Sequence, residues 1–88
     1  MKRIKKYRQQ IDRIDKCILS LLEERFRITD FIGEVKKEKN LSAEDGDREK
    51  EQNDKLRKWA QESELDPELI LRIYKLIRED VKKRHRNG

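Results

Sequence analysis

A chain of 88 residues admits one small domain, residues 1–88, and leaves little interior, so help from a partner chain is plausible. Hydrophobic residues make up 33% and charged residues 49%, a balance that permits disorder unless the apolar positions are patterned. The formal charge of +5 favours anionic partners over cationic ones, and no apolar stretch approaches the length of a signal segment or a membrane span.

The first element is long. Ile4, Tyr7, Ile11, Ile14, Ile18 and Leu21, then Ile28, Ile32 and Val35, recur in steps of three and four, the a/d seam of a heptad pattern. This spacing predicts a helix from about residue 4 to about residue 38, on the order of 50 Å long at 1.5 Å per residue. A compact domain of this size has a radius of gyration near 12 Å, so the helix overshoots its own globule. Part of its seam must be covered by another chain, and a symmetric dimer is the commonest way to cover it.

Asn40 to Asp47 form a break, in which Asp45 and Asp47 are both candidate N-caps for a second helix. That helix carries Arg48, Glu49, Gln52, Leu56, Trp59 and Ala60, a thin apolar stripe at helical spacing that turns polar toward its start, and it ends near Ser63. The third start is better marked, with Asp66 as N-cap, Pro67 at the first helical position and Glu68 in the first turn. Leu69, Ile70, Ile73, Leu76, Ile77 and Val81 are predicted as its buried face. The basic run from Lys82 to Arg86 suits the negative end of the helix dipole. The fold class is therefore all-α, one long N-terminal helix and two shorter ones.

Some residues break these patterns. Arg25 occupies an a position where the seam is otherwise apolar, and a guanidinium there needs an anion. An interhelical salt bridge or an arginine that snorkels to water meets that need as well as a bound ligand does. Lys36 stands eleven residues later, about 20° around the helix, so both cations share a face with Thr29 and Ile32. Arg48 and Glu49 open the second helix, where backbone amides also favour an anion, although a first-turn charge pair is the plainer reading. Arg8 lies about 25 Å along the axis from Arg25, so only an antiparallel partner could bring the two together. Trp59 and Cys17 are assigned to packing. His85 continues the inward stripe of the third helix, close to its fraying end.

Taken in order, Arg8 to Asp15, Ile18 to Arg25, Ile32 to Lys36 and Asp45 to Glu49 resemble the all-helical chorismate mutases, and the spacings between these blocks match too. The resemblance continues through Trp59-Ala60 and Leu65 to Glu68 into Ile73 to Ile77. It implies an intertwined helical homodimer, with two active sites that each borrow an arginine from the neighbouring chain. It also implies the one-step rearrangement of chorismate to prephenate, without cofactor, metal or covalent intermediate. By this resemblance Arg25 and the partner's Arg8 grip the two substrate carboxylates, and Arg48 adds positive potential. Lys36 contacts a carboxylate and the ether oxygen, Glu49 with Asp45 handles the ring hydroxyl, and Ile32 forms part of the apolar wall.

The third helix departs from the family pattern. Val81 stands where relatives usually have a small polar residue and forgoes a hydrogen bond worth about 1 kcal/mol. Arg78 replaces an aliphatic residue and either turns outward or crowds the site, and His85 replaces Gln or Glu. An imidazole donor at His85 could stand in for the missing amide at the ether oxygen.

Isochorismate pyruvate lyase, which uses the same fold on an isomeric dianion, is the nearest alternative. A non-catalytic helical binding or regulatory dimer is the second. Interleaved acids and an aromatic content of 6% argue against nucleic acid as partner. A lone cysteine, Cys17, excludes an internal disulfide and fits a reducing, cytoplasmic setting, and the one histidine leaves no metal-ligand spacing.

Overall fold

The computed structural model describes residues 1–42 and 45–87; Ala43 and Glu44, inside the predicted break, and the terminal Gly88 lie outside the described residues. Three helices follow in chain order, α1 Lys2–Glu38, α2 Gly46–Glu62 and α3 Pro67–Asn87, with no strand among the described residues. A heptad seam that keeps one register across Arg25 accounts for the length of α1, and the molecule measures 57 × 27 × 15 Å as a result. Its radius of gyration, 16.5 Å, well exceeds the value near 12 Å of a compact chain this long.

Side-chain and backbone caps set the boundaries. Asp45 caps α2, its Oδ1 accepting from the Arg48 amide at 3.0 Å, which decides between the two predicted caps. At α3 the Asp66 Oδ1 accepts from the Glu68 amide at 3.0 Å. Both α1 and α2 end in Schellman turns. Leu41 N donates to Lys36 O and Leu65 N to Ala60 O, each at 2.8 Å, and the residue before each donor, Asn40 or Glu64, takes positive φ.

Asparagine tolerates that left-handed geometry, whereas glutamate pays a penalty of about 1–2 kcal/mol. Glycine at position 64 avoids the clash but loses more entropy on folding. Glu64→Gly is therefore expected to stabilise the fold by about 0.5–1 kcal/mol, seen as a higher urea midpoint at unchanged slope.

α3 is the central element. It packs against both α1 and α2, while α1 and α2 make no direct packing with each other among the described residues. The interior is thin, with Leu56 at 4% and Ala60 at 2% exposure as the buried apolar side chains. The predicted inward stripe of α3 is divided. Ile70, Ile77 and Val81 are half-buried, together with Leu71 and Tyr74, but Leu69, Ile73 and Leu76 stay exposed. Those three lie on the neighbouring face, rotated away from α1 and α2.

The α1 seam from Ile4 to Val35 is likewise exposed, with Ile14 at 57%, and so are Trp59 and Cys17, which packing within one chain does not cover. No helix of the structure is long and apolar enough to cross a membrane.

Candidate active site

The second half of α1 projects Arg25, Thr29, Ile32 and Lys36 at steps of four, three and four, which keeps them on one face. The start of α2 presents Asp45, Arg48 and Glu49 toward that face, and α3 supplies Arg78, Val81, Lys82 and His85. These side chains line a hollow of about 160 Å³ between the three helices. It gathers eight of the nine residues singled out from sequence: Arg25, Ile32, Lys36, Asp45, Arg48, Glu49, Val81 and His85. The ninth, Arg8, lies beside Ile4 and Asp12 in an open trough at the far end of α1.

Arg25 is half-buried and forms no ion pair with an acidic side chain among the described residues. Its guanidinium lies 5.5 Å from the Tyr74 ring centroid, and its Nη1 is buried without a hydrogen-bond partner. Of the predicted alternatives, the intrachain salt bridge and the fully solvated arginine are both absent from the described residues. A buried N–H left unpaired costs about 1–3 kcal/mol, so such a group signals a missing acceptor.

Arg48 shares its charge with Glu51 at 2.9 Å on the exposed side of α2. Glu49 is bridged to Lys82 at 2.7 Å. The Lys82 ammonium, hydrogen-bonded to the carboxylate, holds Glu49 below the usual carboxylate range against partial burial, and Arg78 adds to the effect.

Arg78 does not turn outward but lines the hollow. Its Nη1 donates to Gln52 Oε1 at 3.0 Å, tying α3 to α2 along the wall. Gln52 falls on the α2 stripe with Glu49 and Leu56, whereas Lys82 carries no sequence signal of its own in a run of basic residues.

His85 closes one end of the hollow. Its Nε2 lies 3.0 Å from Thr29 O, and because a carbonyl only accepts, that nitrogen carries the proton. The Thr29 hydroxyl turns back to Phe26 O at 3.1 Å. Gly33 makes room for the ring, since a Cβ there would stand 2.5 Å from His85 Cδ2. Nδ1 is buried without a partner. The neutral ring thus has its single N–H engaged by Thr29, and only the imidazolium offers a second donor. This narrows the expectation of an imidazole donor at His85 to the charged form.

A broader trough on the other side of His85 sets Asp30, Glu34 and Asp80 among Lys83 and Arg84. Arg84 is engaged there by Asp30, Asp80 and the Phe26 ring, so the trough has mixed charge and its arginine is already satisfied. No cluster of His, Cys, Asp and Glu suited to a metal occurs among the described residues.

The hollow joins an arginine without an acidic partner to Lys36, Arg48, Arg78 and Lys82, with Asp45 and Glu49 as its acids, and so carries a surplus of positive charge among the described residues. The chain belongs to the chorismate mutase type II family, whose model matches residues 7–86. It is 29% identical over 82 residues to the chorismate mutase of Methanocaldococcus jannaschii, covering 93% of this chain and 83% of that protein. It is also 36% identical over 80 residues to the bifunctional chorismate mutase/prephenate dehydratase of Aquifex aeolicus, covering 88% of this chain but only 22% of that protein. No solved structure matched significantly.

Proposed function

We propose that the hollow is the chorismate-binding site of a chorismate mutase that works as an intertwined homodimer, with residues 1–88 acting as one mutase domain. The observation that carries the reading is Arg25, a half-buried arginine in the lining of the hollow whose Nη1 is buried without a partner. Chorismate brings two carboxylates, and its rearrangement develops negative charge at the ether oxygen as the C–O bond breaks. Fixed cations answer both demands by holding the folded conformer and stabilising the charge that develops.

Arg25 takes one carboxylate, and Lys36 lies along the same helix face to meet a carboxylate and the ether oxygen. Arg48 adds positive potential at the amino end of α2. Asp45 and Glu49 accept from the ring hydroxyl, while Ile32 and Val81 supply apolar wall. The second carboxylate falls to Arg8 of a partner molecule, since Arg8 is remote from the hollow of its own chain. The exposed apolar seam of α1 supports that dimer. A reducing, cytoplasmic location accords with the unpaired Cys17.

Incubation with chorismate should yield prephenate, and isochorismate should be left intact. Salicylate and pyruvate from isochorismate, with no prephenate from chorismate, would identify a lyase instead.

His85 Nε2–H is engaged by Thr29 O, so Nδ1 is the ring atom left for a ligand, whereas an amide at this position brings donors of its own. His85→Gln should keep or raise turnover, and His85→Ala should lower it. Unchanged kinetics in His85→Ala would rule the role out.

A further inference from the structure

The Lys82–Glu49 contact joins α3 to α2 at the wall of the hollow, 2.7 Å from Nζ to Oε1, with the two side chains only 25% and 33% exposed. A site that receives a dianion has an electrostatic reason to avoid a carboxylate, because like charges a few ångströms apart repel and favour protonation of one of them. Glu49 is nevertheless there, with a second acid, Asp45, beside it. The cation that offsets it comes from α3, not from the first-turn neighbour Arg48, which pairs outward with Glu51.

We propose that Lys82 is a positioning residue for Glu49, clamping Oε1 so that Oε2 faces the ligand's hydroxyl and neutralising the carboxylate beside the substrate's own negative charges. The proposal rests on the mutase reading of the hollow, in which Glu49 accepts from the ring hydroxyl. The groups facing Glu49 are Lys82 and Arg78 from α3 and Asp45 from its own end of α2, with Arg25 and Lys36 of α1 across the hollow. Arg78 is committed to Gln52, so Lys82 is the cation in contact. A methylene stem carrying a point charge suits this task, since it can follow the carboxylate as a ligand enters.

A plain structural clip between α2 and α3 predicts something different. A partly exposed ion pair adds at most about 1 kcal/mol to stability and leaves the chemistry alone. Lys82→Met, Lys82→Arg and Glu49→Gln separate the two.

The acid limb of kcat/KM reports groups of the free enzyme. Lys82 holds Glu49 below the usual carboxylate range, so its removal should move that limb to higher pH. In Lys82→Met we expect such a shift, a several-fold loss of kcat/KM at neutral pH carried mainly by KM, and a melting temperature within a few degrees of wild type. Lys82→Arg should restore the neutral-pH rate. Glu49→Gln should abolish the limb, and with it any further effect of Lys82→Met.

Carboxyl-carbon NMR of the ligand-free protein gives a readout independent of turnover. The Glu49 titration should move upward in Lys82→Met. An acid limb or a Glu49 titration unmoved in Lys82→Met overturns the proposal, as does a rate loss that Lys82→Arg fails to repair. Absence of prephenate from wild-type protein would instead overturn the mutase reading, and the two failures are distinct.

Discussion

Arg25→Ala should lower kcat/KM for chorismate by about 10²–10³-fold while leaving a folded helical dimer. The loss follows from removing a charged donor aimed at a substrate carboxylate in a partly water-excluded hollow, where preorganised donors have effects of this order. Stability should move the other way, or not at all. In the free protein the guanidinium has a buried Nη1 with no acceptor and contacts only the edge of a favourable range over Tyr74, at 5.5 Å. Its removal relieves a desolvated polar group instead of breaking a pair.

A structural arginine gives the opposite pattern, with a lower melting temperature and activity lost in proportion to unfolding. Chorismate consumption and thermal melting on the same preparation, with sizing to check the dimer, distinguish the cases. Arg25→Lys should fall between, since an ammonium keeps the charge and loses the fork that meets a carboxylate in two places. Wild-type turnover in Arg25→Ala would end the assignment of this hollow as the site.

The long helix was readable because nothing competes with its signal. Nine apolar residues on one heptad register, six before Arg25 and three after it, leave α1 one phase, and Arg25 stands out as the slot they skip. Asp66-Pro67 fixed the start of α3 for a similar reason, a cap and a pre-set φ acting at one place. The choice between Asp45 and Asp47 was not readable, because both stand before the same helix and only backbone geometry selects the one whose carboxylate reaches the Arg48 amide.

Lys82 was invisible for a physical reason of another kind. In a chain where 49% of residues are charged, a lysine in a basic run has no contrast with its neighbours. Its meaning comes from α2 lying against α3, a tertiary fact. His85 was noticed as a substitution, but its tautomer depends on a carbonyl of Thr29 on another helix. The inward stripe of α3 was drawn too wide, since hydrophobicity marks every face that will be covered, whether by this chain or by another. Leu69, Ile73 and Leu76 share that ambiguity with Trp59.

Mixing two inactive variants should restore activity. Arg8→Ala and Arg25→Ala should each be nearly inactive alone, because every site in either homodimer lacks one of the two arginines. In the proposed intertwined dimer each site would take Arg25 from one chain and Arg8 from the other. A heterodimer of the variants therefore has one site missing both residues and one site complete. Unfolding and refolding an equal mixture makes about half of the dimers heterodimers, so about a quarter of all sites become intact. Activity should recover to about a quarter of the wild-type value, with the wild-type KM.

The geometry leaves little room for the alternative. Arg8 and Arg25 are separated by about 25 Å along one rigid helix, and Arg8 does not line the hollow of its own chain. Were Arg8 to act within its own chain, each chain in the mixture would carry its own defect and mixing would restore nothing; were it idle, Arg8→Ala would be active by itself. A charged residue at Ile14, one of the exposed seam positions, supplies the companion test. Ile14→Asp should shift the protein to monomer on sizing and remove activity, because a lone chain holds Arg25 but cannot bring an Arg8 to it. An active Ile14→Asp monomer, or a mixture that stays inactive, would refute the shared site.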